Sequence, residues 1–134
     1  MKIEVTIRRE DEEEDVINLT HIKNIQFKSD TIDTYPMDRT GNIVNKIDIE
    51  GEIVKENQEM TKKLIDWSFA KTKSEIYREV EIVAYDADDV IRRYQLDTVF
   101  VMDYTEKFDQ TNATYKLEIS QRQANLDKIF VTTR

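Results

Sequence analysis

Cysteine is absent from the 134-residue chain, proline and histidine occur once each, and glycine occurs only twice. Without cysteine there is no disulfide framework, no thiol nucleophile and no thiolate metal site, although the compartment is left open by this. With only Pro36, Gly41 and Gly51 available, most turns fall to Asp, Asn, Lys and Thr, which tolerate them at some conformational cost. No apolar run approaches the ~20 residues that span a bilayer. The opening residues, Met1 to Val5, read as the start of a strand rather than a cleavable signal, so synthesis in the cytoplasm with no membrane span is expected. Basic residues are also in deficit, 20 Lys and Arg against 28 Asp and Glu, for a formal charge of −8. Nucleic-acid binding draws its affinity from clustered cations, so that partner class is not expected.

What remains is charged and β-rich. With 39% hydrophobic and 36% charged residues, the chain suits one domain, residues 1–134, with a real but modest core. Ile3, Val5 and Ile7 alternate with polar residues and predict a strand over residues 2–9, half buried. Six consecutive acids at 10–15 repel one another and are read as a solvated hairpin loop. Residues 20–35 form the next β-rich piece, with a change of phase near Asn24 that predicts a bulge or bend. Pro36 and Gly41 bracket a turn over residues 37–40. In residues 47–53, Ile47, Ile49, Gly51 and Ile53 alternate with Asp48, Glu50 and Glu52, giving one apolar and one acidic face.

A helix is predicted over about residues 57–72, capped by Asn57, with Met60, Leu64 and Trp67 in one stripe and Ile65 and Phe69 on another side. Such a stripe plugs the end of a sheet or meets a neighbour. Five further strands are predicted, at 76–85, 90–96, 98–108, 114–122 and 127–132. Val99, Phe100, Val101 and Met102 form a nearly continuous apolar run, as in a strand covered on both faces by a second layer or a partner subunit. The architecture read from this pattern is mainly β, a two-sheet sandwich or small β-barrel with one flanking α-helix.

The search for chemistry returns bland readings. Asp86, Asp88 and Asp89 lack the alternate spacing, central glycine and distal glutamate of a helix-loop-helix calcium loop, and are read as an acidic hairpin turn. His21 would have to serve Ser29, Ser68, Ser74 or Ser120, none of which stands in a nucleophile-elbow context. Paired carboxylates are unavoidable among 28 acids, yet aromatic cleft signals are missing, so a hydrolase is the third-ranked reading. Arg92 and Arg93 point to opposite faces of their strand, and one of them can meet acids at a subunit interface or stay a solvated cation. Asn18 and Asn112 stand in glycosylation patterns that mean little without secretion. No catalytic residue, metal or cofactor is expected.

The run 81–94 (EIVAYDADDVIRRY), followed by 99–104 (VFVMDY) and 115–122 (YKLEISQR), resembles tail-tube-like proteins of Gram-positive bacteria, which look related to the haemolysin-coregulated tube proteins of type VI secretion and to phage tail tubes. The resemblance is carried by the second half of the chain and reaches the first half only by strand order. It implies a non-enzymatic subunit that forms rings, six-membered and stackable into a hollow tube, inside a phage-tail-like or secretion particle. Partners would be copies of itself, and sheath, baseplate or effector proteins. Candidate assembly and turn residues are Asp86, Asp88, Asp89, Arg92, Arg93, Phe100 and Tyr104. Asp89 departs from the pattern, because the similar turn often has glycine there. The alternative from another class is a monomeric binding module or adaptor that keeps the fold and uses the acidic loop 10–15 as its contact surface.

Overall fold

Among the described residues the period-2 segments become eight antiparallel strands in one continuous sheet. The computed structural model describes residues 1–9, 12–31, 43–122 and 129–132. The strands are β1 (Lys2–Arg9), β2 (Glu12–Leu19), β3 (Ile22–Thr31), β4 (Ile43–Glu52), β5 (Arg78–Asp86), β6 (Asp89–Phe108), β7 (Ala113–Gln121) and β8 (Ile129–Thr132). Between β4 and β5 run a short 3-10 turn (Lys55–Asn57) and helices α1 (Gln58–Ser68) and α2 (Lys73–Ile76). The turn expected around Pro36 and Gly41 lies outside the described residues.

The strand order is β2-β1-β5-β6-β7-β4-β3, with β8 also on β6. The two ends of this order, β2 and β3, are consecutive in the chain and separated only by Thr20 and His21. The sheet therefore has to curl until its ends meet, and Phe27 of β3 stacks on Tyr94 of β6 with ring centroids 4.6 Å apart. His21 takes a left-handed φ of 57° at this closure. Its carbonyl accepts from Glu52 N at 2.9 Å, and the Thr20 carbonyl accepts from the Tyr115 hydroxyl at 3.0 Å. Inside the curl, Val5, Ile7, Ile47, Ile49, Leu117 and Ile119 are almost completely buried. The change of phase near Asn24 is a real irregularity, since the β3 to β4 register shifts between Ile22 and Asn24.

Helix α1 closes the curl with the expected stripe. Met60, Leu64 and Trp67 are buried, while Phe69, just past the helix, is 72% exposed. Two expectations about this helix are corrected. It ends at Ser68 instead of near residue 72, because the indole Nε1 of Trp67 donates to the Ile76 carbonyl at 2.8 Å and folds the chain back on itself. Asn57 makes no side-chain cap, because its Oδ1 accepts from Val54 N at 2.8 Å and its Nδ2 donates to the Glu52 carbonyl at 2.8 Å, fastening the exit of β4.

Two strand expectations are corrected as well, and a third is narrowed. The acidic run does not stay a loop: β2 begins at Glu12, and Asp15 in it meets Arg78 of β5 at 3.3 Å and Arg9 of β1 at 3.7 Å, so cations from two strands offset the repulsion. Glu10 and Asp11 lie outside the described residues. The segments 90–96 and 98–108 are one 20-residue strand, β6, whose register is carried through by Val99, paired with Arg78 on one side and Gln121 on the other. Thr98 sits inside it at a φ of 55°, an unusual place for a β-branched residue, held by Arg122 N donating to its carbonyl at 2.9 Å and by its hydroxyl on Asp97 Oδ1 at 2.6 Å. Finally, the run 99–102 is covered by its own chain on one face only. Val99 is fully buried, Phe100 and Val101 are half-buried, and Met102 is 51% exposed at a bulge between Val101 and Asp103.

The β5–β6 hairpin turns on Ala87 and Asp88 with Asp86 opposite Asp89. Ala87, and not Asp89, carries the left-handed backbone, with φ at 54°. Ala87→Gly is therefore expected to raise stability by about 0.5–1 kcal/mol, the relief of Cβ crowding exceeding the entropy cost of glycine. Thermal unfolding of the two proteins checks this, and an unchanged or lower midpoint would contradict the assignment.

Candidate assembly surface

The seven sequence candidates lie mainly along one hairpin and do not converge on a cleft. Asp86, Asp88 and Asp89 are exposed at the β5–β6 tip. Arg92 is exposed on the inward-facing side of β6, opposite Ala84, and has no ion pair among the described residues. Arg93 faces the other way, its guanidinium 3.9 Å from Glu81, which also accepts from Gln95 Nε2 at 2.9 Å. The period of a strand separates the two arginines as the sequence requires. Phe100 stands edge-on to Tyr77 at 6.2 Å, and Arg122 lies over the same Tyr77 ring at 5.8 Å. Tyr104 donates to Glu106 Oε2 at 2.6 Å, and burial, followed by that carboxylate, pushes its hydroxyl well above the usual phenol range. From Asp89 to Tyr104 these groups spread over roughly 50 Å of extended strand.

Sheet edges are the second element of the surface. Beyond Val99, the β6 edge facing away from β7 carries no strand among the described residues, and neither do the outer edges of β2 and β3. An unpaired edge is a row of donors and acceptors able to template another chain. The acidic face expected on β4 is present but mixed. Glu50 accepts from Asn24 Nδ2 at 3.4 Å and stands opposite Lys116, which pairs with Glu118 at 3.4 Å, and Lys46 lies on the same face.

Groups with chemical potential are engaged elsewhere. The His21 ring meets the Thr20 hydroxyl at 3.1 Å, Ser120 donates to the Asn45 carbonyl at 3.1 Å, and Ser68 donates to the Ile65 carbonyl at 2.6 Å. Among the described residues no three His, Cys, Asp or Glu side chains gather as metal ligands, and no helix is long and apolar enough to cross a membrane.

Two features escaped the sequence reading. One is the buried Arg78, sandwiched between Asp15 and the Trp67 ring 5.6 Å away, which depends on three distant segments meeting and has no local signal. The other is the β6–β7 tip. There Asp109 Oδ1 accepts from Thr111 N and Asn112 N, each at 2.8 Å, and from Thr111 Oγ1 at 2.9 Å, while Phe108 beside it is 67% exposed. Asp at the start of a turn is a readable signal for such a tip.

No family model matches the chain and no curated protein is similar to it in sequence. Solved structures are similar over almost its whole length. A chain of the sheath-tube complex of an extracellular contractile injection system, in its extended state, superposes with a TM-score of 0.60 at 13% identity, covering 99% of this chain and 89% of that one. The chain has the tube-protein fold. Hcp1 from Flavobacterium johnsoniae shares that fold with a TM-score of 0.58 at 14% identity, over 100% of this chain and 97% of its own. Hcp1 from Salmonella typhimurium gives 0.59 at 9% identity, over 89% and 81%. The superposition on the first two of these structures spans the curled sheet, helix α1 and the long β6 together. The mainly β expectation with one flanking helix agrees with it.

Proposed function

We propose that the chain is a non-enzymatic structural subunit that self-associates into rings, six-membered and stacked into a hollow tube, within a phage-tail-like or type VI-like contractile injection apparatus. The observation that carries this is the match of the entire chain to the tube fold, including a chain from an assembled sheath-tube complex. Similar folds also occur in the baseplate and tube-terminating cap of the anti-feeding prophage, so baseplate, sheath and cap proteins are the proposed partners alongside further copies.

The mechanism is mechanical. Ring closure is head-to-tail and needs two different complementary patches on each subunit. The strand edges of β2, β3 and β6 that carry no strand among the described residues, and the half-covered apolar run at Phe100 and Met102, supply surface for such contacts. The mixed-charge face of β4, with Asp48, Glu50 and Glu52 among lysines, suits a wetted tube wall. Asp86, Asp88 and Asp89 would act at the hairpin tip and Arg92 and Arg93 along its arm, as assembly contacts rather than as a site for chemistry. The particle containing the tube is the proposed location.

Negative-stain imaging of the concentrated protein tests the reading. Rings with a central hole, or stacks of them, are expected; a field of featureless single particles at every concentration would contradict it.

A further inference from the structure

A cleft of about 290 Å³ opens between β3 and the β5–β6 hairpin. Among the described residues it is lined by Ile25, Phe27, Ile82, Ala84, Arg92 and Tyr94. The stacked Phe27 and Tyr94 rings form one wall, and among the described residues Arg92 is the charged lining group. An exposed guanidinium with no ion pair among the described residues, beside an apolar slot, fits an occupant that offers a flat apolar group next to a carboxylate.

The chain displays such a group at the far end of the same strand. Phe108 is 67% exposed and is followed by Asp109. The hydrogen bonds that Asp109 accepts from Thr111 and Asn112, with its own N–H donating to the Asn112 carbonyl at 2.9 Å, fix the tip in one conformation. Those bonds also hold the Asp109 carboxyl below its usual range, so it stays anionic at neutral pH. A pre-ordered aromatic knob loses little conformational freedom on docking. Tyr94 and Phe108 are separated along β6 by roughly 45 Å of extended backbone, so the cleft cannot receive the Phe108 of its own chain.

We propose that Phe108 of one copy seats in the Phe27–Tyr94 cleft of the next, with Asp109 facing Arg92 at the rim, and that this knob-into-cleft contact is the head-to-tail joint between subunits. The inference rests on the self-association reading and assigns its residues. One copy offers the knob and the other the cleft, so the contact is heterologous and each bound pair leaves one knob and one cleft free.

The test uses Phe108→Asp, which keeps the cleft, and Ala84→Trp, which fills it and keeps the knob. Each variant alone is expected to raise the concentration for half-assembly by roughly thirty-fold, as loss of an aromatic anchor does. Mixed in equal amounts, they are expected to stop at a dimer, because the mated pair has neither a free knob nor a free cleft. Since Ala84→Trp can disturb the fold, a second readout places a photo-reactive benzoylphenylalanine at position 108 of the otherwise unchanged chain. Its cross-links are expected on the peptides holding Phe27 and Tyr94 of another copy. Cross-links mapped elsewhere, or Phe108→Asp protein that assembles as the unchanged chain does, would overturn the contact while leaving ring formation intact. An unchanged chain that stays monomeric at every concentration would overturn both.

Discussion

Gly51→Ala is expected to lower the stability of the folded chain by about 3 kcal/mol, the upper end of the usual cost of overpacking. Gly51 sits on β4 directly opposite Tyr115 of β7, and a Cβ there would overlap the tyrosine ring at Cζ, Cε1 and the hydroxyl. The ring has nowhere to go. Tyr115 is 1% exposed, and its hydroxyl is pinned to the Thr20 carbonyl at 3.0 Å, in the connection that brings the two ends of the sheet together. Burial pushes that hydroxyl up to about 12, so it remains a neutral donor through the physiological range. Shrinking the ring should recover part of the loss, so Gly51→Ala combined with Tyr115→Leu should be less unstable than the sum of the single changes. Denaturant or thermal unfolding of the four proteins measures this coupling. A Gly51→Ala unfolding free energy within about 0.5 kcal/mol of the unchanged chain would contradict the packing described here.

Asp15→Ala is the second large effect, an expected loss of about 2–3 kcal/mol. Arg78 is only 6% exposed, and burial lowers its pKa while Asp15 is the first group opposing that shift. Its Nε and Nη1 are buried without a hydrogen-bond partner, so the carboxylate contact at Nη2 and the Trp67 ring carry the compensation for the desolvated charge. Removing Asp15 strands that charge. Because the Asp15 side chain is 28% exposed, the loss is set below the full figure for a sealed ion pair. Arg78→Met removes charge and desolvation together and keeps an apolar contact for Trp67, so it is expected to cost about 1 kcal/mol or less. The order of the two variants is the discriminating result. If Arg78→Met were the more damaging, the guanidinium would be stabilising through its packing and not merely tolerated.

Much of the fold was legible because its determinants are local. The alternation of Ile3, Val5 and Ile7, the stripe of Met60, Leu64 and Trp67, and the phase change near Asn24 each report on the residue's own strand or helix, and all three appear in the structure. The misread features depend on partners far away in sequence. The acidic run becomes strand because Arg9 and Arg78 arrive beside Asp15. The helix stops early because Trp67 finds the Ile76 carbonyl. The sequence breaks the strand at Asp97, yet Gln121 Nε2 donates to the Asp97 carbonyl at 3.1 Å and holds that residue inside one long strand. The candidate residues were less legible than the fold. Strand alternation separates Arg92 from Arg93 as the sequence implies, but nothing local shows that Arg92 stands beside Phe27 or that Met102 is left uncovered.

The central claim is self-association, and light scattering coupled to size-exclusion chromatography across a concentration series tests it most directly. The account predicts a mass that climbs from 16.0 kDa toward a closed, multi-subunit ring as concentration rises. A mass fixed at 16.0 kDa throughout the series would contradict it and leave the chain as a monomer built on a tube fold.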